Sequence, residues 1–144
     1  MLLVDRIERN GILYAFIVRN SFKGQGVHFF TPDDSAQQLA LITHEKGSLI
    51  VPHVHNPVNR NLMQTQEVLI IKSGRLRVDF YTRDAVYIES RIIEPWDVLF
   101  LAEGGHGFEV LESIEMIEVK QGPYAGTRDK TVFSGVSPQD IVLR

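Results

Sequence analysis

Four side chains in this sequence have the type and spacing to do chemistry together. His53 and His55 stand two residues apart after the apolar run Leu49-Ile50-Val51. In a strand, residues i and i+2 share a face, so both imidazoles are expected to project together. Glu67 opens a second apolar run, Val68-Leu69-Ile70-Ile71, and His106 sits in a Gly-Gly-His-Gly setting after a third, Val98 to Leu101. Three imidazoles and a carboxylate carried on strands form a donor set for a divalent metal. The chain has no cysteine, so any metal must be held by nitrogen and oxygen, which suits Fe(II), Mn(II), Ni(II), Co(II) or Zn(II). Such a set leaves part of an octahedral ion open to a substrate oxygen or water. Glu67 and His106 are also the candidate catalytic groups, able to move a proton at that substrate. A carboxylate at the head of an apolar strand needs a cation or donors beside it, because burying it unpaired is costly.

The same residues resemble the cupin superfamily. Gly47, five residues, His53-x-His55, then Glu67, six residues and Gly74 match the family's first motif in residue type and spacing. The gap between His55 and Glu67 holds eleven residues, longer than is usual there. Pro95-Trp96-Asp97-Val98-Leu99-Phe100-Leu101 is similar to the second motif's Pro-Gly-Asp turn and strand, with Trp96 in place of Gly, and His106 stands for the family's third histidine. The resemblance covers roughly residues 40 to 120. It implies a cupin-type double-stranded β-helix, a jelly-roll barrel with His53, His55, Glu67 and His106 turned inward onto a metal. It also implies small-molecule chemistry, which in this family ranges from oxygenation and isomerisation to plain ligand binding.

The elements that must position these residues are short strands. Gly11 to Val18, Val27 to Phe30, Gln38 to Thr43, Ser48 to His55, Glu67 to Ile71, Arg75 to Tyr81, Val86 to Ile93, Val98 to Leu101, Gly107 to Leu111 and Ile114 to Lys120 are apolar or alternating runs. Ser48 to His55 is expected to pair with Gln38 to Thr43 across Glu45-Lys46-Gly47. Asn56 to Gln64 is polar and turn-rich, hence a loop, and Arg60 within it is a candidate clamp for an anionic substrate. Arg75 and Arg77 alternate with Leu76 and Val78 and are expected to face outward with Asp79. Gln64, Gln66, His28 and His44 read as surface or packing residues, and Trp96 as barrel packing. Many short strands with turn signals between them argue an all-β sandwich or barrel in a single domain, 1–144, with an extended tail from about residue 121. The tail is expected to pack on its own barrel or on a second subunit. Sharing of the tail and the Gly11 to Val18 run predicts a homodimer.

Composition narrows the partners. The 144 residues suit one domain, and a net charge of -3 offers no basic footprint for nucleic acid or an anionic membrane. The start carries charges and no apolar h-region, and no run is long enough to span a bilayer, so a cytoplasmic protein is expected. Three readings stay open. One is a metal-dependent enzyme, an isomerase or oxygenase acting on a hydroxylated or carboxylated substrate. Another is a metal-free sugar-nucleotide isomerase or epimerase of polysaccharide biosynthesis with a histidine base. The last is a non-catalytic domain that binds a sugar or other small molecule.

Overall fold

The computed structural model describes residues 3–144. It divides into two compact units, one of Met1–Phe22 with Thr65–Arg144 and one of Lys23–Gln64. The protein is all-β: no α-helix forms among the described residues, and none is long and apolar enough to cross a membrane.

The first unit is a six-stranded sheet of β1 (Val4–Arg9), β2 (Ile12–Val18), β5 (Glu67–Tyr81), β6 (Tyr87–Ile93), β7 (Val98–Leu101) and β8 (Gly105–Lys120). The second unit contributes β3 (Gly26–Phe29) and β4 (Ala40–Thr43), paired antiparallel. β1 is a strand that the opening residues did not suggest. It is turned back onto β2 at Asn10-Gly11, both with positive φ (54° and 75°), as a two-residue hairpin turn requires. β2 pairs β1 on one side and β7 on the other, and β7 continues to the first half of β5.

β5 and β8 are the spine of this unit. Each was expected as two strands and each is one, bent by bulges between Ile71 and Leu76 in their mutual register. β8 pairs β5 along its whole length, and its outer residues Phe108, Val110, Ile117 and Val119 remain exposed. Alternation sorts the two faces. Ala15, Leu101 and Glu67 are register partners, as are Ile17, Leu99 and Leu69. That face carries the main core, with Ile7, Ile71, Leu76, Val78, Phe80 and Ile93. Phe16, Phe100 and Val68 occupy the opposite face, where the two phenyl rings stack with centroids 4.8 Å apart. Arg77 does share its face with Asp79, 2.8 Å away, but Asp79 is buried and accepts a hydrogen bond from Ser90 Oγ.

The second unit corrects one expected strand. Ser48 to His55 forms no strand, and β4 pairs β3 instead. Pro52 interrupts the run, removing an N–H that a ladder would use. Leu49, Ile50, Val51 and Val54 bury no face and stay exposed. The polar loop at 56–64 is irregular and exposed, as expected, and Arg60 lies exposed within it.

The tail from residue 121 packs on its own unit. Ser90 bridges Leu143 in parallel, Val142 N donates to Tyr87 Oη at 2.9 Å, and Val136 N donates to Tyr81 Oη at 3.0 Å. The tail therefore lies along its own β6, and β2 is paired on both edges.

Candidate functional site

Glu67 and His106 come together. Glu67 opens β5, and its register partners are Leu101 and Lys120. His106 lies opposite Phe80, 80 − 67 = 13 residues further along the same strand. Extended, that length of strand would cover about 43 Å. Yet His106 Nε2 lies 3.2 Å from Glu67 Oε2. The β5–β8 ribbon therefore curls back on itself into a half-barrel, and the short turn after Leu101 brings β8 in beside the start of β5. The curl needs a backbone that can bend, and Gly74 supplies it with φ +84 at the bulges.

The carboxylate can only accept at this contact, so the imidazole donates from Nε2. This hydrogen bond draws the Glu67 carboxyl below its ordinary value of 4.5, against the burial that raises it, and the charges of His106, Lys120 and Lys130 act in the same direction as the hydrogen bond. A carboxyl lowered on folding stabilises the folded state fully above the ordinary carboxylate range. It loses that contribution as pH falls through the lowered value. With chelator present, wild type should therefore exceed His106→Ala in stability by less than about 1 kcal/mol at neutral pH, given the partial exposure of the pair. Urea midpoints of the two proteins should converge between pH 5 and pH 3. Curves that stay parallel would show that the pair contributes nothing.

Around the pair lie residues that sequence reasoning passed over. Gln66 is buried rather than superficial; its N–H donates to Gln121 Oε1 at 2.6 Å and its side chain to the Ala102 carbonyl at 3.4 Å. Gln121 Nε2 is buried with no hydrogen-bond partner. Lys120 faces Glu67 across the ladder and its Nζ lies 3.5 Å from Asp129 Oδ2. The available signal was register: whatever pairs with the head of β5 must flank Glu67.

His53 and His55 lie in the second unit on irregular, exposed backbone, so the strand argument for their common direction fails. They are neighbours nonetheless, with ring centroids 5.3 Å apart. His53 Nδ1 lies 2.9 Å from the Val51 carbonyl, which can only accept. The neutral ring is thereby held with its proton on Nδ1 and Nε2 free to accept or ligate. Among the described residues, neither unit by itself gathers three or more His, Asp or Glu side chains into a group that could hold a metal.

The turn before β7 is built on Trp96 and Asp97. Trp96 takes positive φ (66°), donates its N–H to the Ile71 carbonyl at 2.6 Å, and is exposed rather than packed in the barrel. Asp97 is buried and accepts from Asn20 N, Glu94 N and Arg19. No family model, curated protein or solved structure matches this chain.

Proposed function

We propose that this protein is a small metal-binding cupin in which His53, His55, Glu67 and His106 hold a divalent ion and serve an enzyme acting on a hydroxylated or carboxylated small molecule. The observation that carries this reading is the Glu67–His106 contact. Two residues singled out on motif spacing alone meet at 3.2 Å. Adjacent ligands of an octahedral ion, each bonded at about 2.1 Å, stand about 3.0 Å apart, so the spacing of Nε2 and Oε2 fits an ion that takes the place of the proton they share. The free Nε2 of His53 fits the same role.

Bound there, a divalent ion would polarise a carbonyl or hydroxyl oxygen of the substrate. The chain's own part is to orient and to move protons. Glu67 fixes the His106 ring, and His106 or Glu67 accepts the proton released at the substrate. In this reading the exposed loop at 56–64, with Arg60, would select among ligands. The jelly-roll closure and a homodimer belong to this proposal too.

The test is metal removal. Ion at a hundredfold excess over Kd stabilises the native state by about 2.7 kcal/mol. Chelator should lower the melting temperature of wild type at pH 7.5 and do less at pH 5, where protonated histidines already release metal. A His53→Ala, His55→Ala variant should respond little, and His28→Ala should behave as wild type. Equal chelator responses in wild type and the double variant would sink the metal reading.

A second reading rests on the same hydrogen bond. An imidazole oriented by a carboxylate is also a general base, as a metal-free sugar-nucleotide isomerase or epimerase would use. In that case His106→Ala abolishes turnover while elemental analysis of untagged protein finds no stoichiometric metal.

A further inference from the structure

The glycines around His106 are matched by aromatic rings. Gly104 has φ +74, and a Cβ there would strike the Tyr81 carbonyl oxygen and come within 2.8 Å of the Tyr14 ring. Gly105 is a different case. Its φ lies outside the left-handed region, so the backbone itself would accept an alanine. The space of its side chain is taken instead by the ring of Phe133, whose Cζ would lie 2.9 Å from a Cβ. Phe133 comes from the tail, and Val132 beside it is 85 % exposed. The same stretch of tail clasps Tyr81, the register partner of Gly105. The Tyr81 and Phe133 rings meet edge-on with centroids 5.0 Å apart, and Val136 N donates to Tyr81 Oη at 3.0 Å. Gly135 permits that approach, since a Cβ there would lie 3.2 Å from Tyr81 Oη. The tail thus closes on the backbone that carries His106.

Resting on the reading of Glu67 and His106 as the reacting pair, we propose that Phe133 is a positioning residue of this site, holding the His106 imidazole on Glu67 by packing against Gly105 and Tyr81. The imidazole has two other supports, Glu67 Oε2 at 3.2 Å from Nε2 and the Phe108 ring with its centroid 5.2 Å away. A bond of that length is at the long end of the hydrogen-bond range, so a displacement of roughly half an ångström at Gly105 breaks it. The ring that fills the place of a Gly105 side chain prevents that displacement.

Nitrogen-15 shifts of the His106 ring, read on metal-free protein, report whether Nε2 keeps its proton. At about pH 8, above the ordinary imidazole range, wild type should keep it. Phe133→Ala should lose it in part, giving a mixture with the Nδ1–H tautomer. Phe133→Leu still fills the space and should behave as wild type. Gly105→Ala displaces the same ring from the other side and should reproduce the loss, and combining it with Phe133→Ala should add nothing. Val132→Ala should have no effect. Tyr87→Phe removes the hydrogen bond from Val142 N, a tail contact outside this cluster, and should lower the urea midpoint without moving the His106 shifts. Unchanged His106 nitrogens in both Phe133→Ala and Gly105→Ala, or the same change in Val132→Ala or Tyr87→Phe, would overturn the proposal. Because metal takes no part in this readout, its failure leaves the chelator test of the metal reading untouched, and failure of the chelator test leaves this one standing.

Discussion

Gly74→Ala should be among the most damaging single-methyl changes in this protein, costing on the order of 3 kcal/mol or more. Two effects combine. At φ +84 any L side chain is strained, and a Cβ would lie 2.8 Å from the Ser113 carbonyl carbon, 2.9 Å from the Glu112 oxygen, and closer still to the Ser113 oxygen. Those atoms are backbone of β8 at the bend of the ribbon, so relief requires β8 to move away from β5. The curl that joins Glu67 to His106 would open with it. Gly47, the other glycine of the same motif, is the control. Its φ is +91, but nothing lies within 4 Å of a Cβ there, so Gly47→Ala should cost only the backbone term, about 1 kcal/mol. Urea unfolding and the His106 imidazole signal of the two variants check this. Equal midpoints for both, with His106 undisturbed, would refute the role given to Gly74.

Arg19→Met should cost about 3–5 kcal/mol, as expected when one member of a buried ionic group is removed. Arg19 follows β2 and gathers three separate parts of the sheet unit. Its Nη2 meets Asp5 Oδ2 at 2.5 Å, and its Nη1 meets Asp97 Oδ2 and the Ile92 carbonyl, each at 2.8 Å. The two carboxylates hold its guanidinium charged against the burial that opposes it. Without Arg19, Asp5 and Asp97 would face each other with no counter-charge, and Asp97 also anchors the turn into β7. Arg19→Lys keeps the charge but not the planar fork, and should recover only part of the loss. A midpoint for Arg19→Met within about 1 kcal/mol of wild type would show that this group is solvated after all.

Much of the β architecture was legible locally. Alternation in Arg75 to Phe80, the apolar runs at Ile12 to Val18 and Val98 to Leu101, and the glycine-containing turns each act over a few residues. Strand propensity and turn chemistry are properties of such short windows. Glu67 and His106, which meet at 3.2 Å, also stand out locally, a carboxylate at the head of an apolar strand and a histidine among glycines. Local reading failed where the deciding contact was distant. Ser48 to His55 has strand residues, but Pro52 and the absence of a buried face leave it irregular. Val4 to Arg9 looks polar, yet Ile7 alone reaching the core and the Asn10-Gly11 turn suffice to make it a strand.

Sequence by itself determined the all-β character and the loop at 56–64, since these follow from side-chain chemistry and near neighbours. Tertiary structure decided which of the candidate site residues meet. Glu67 reaches His106 only because two long strands bend together where Gly74 passes against the Ser113 backbone. Lys120 flanks Glu67 only because ladder register carries it there, and Asp129 of the returning tail meets it. Those are sums of weak contacts between residues far apart in the chain, and no short window contains them.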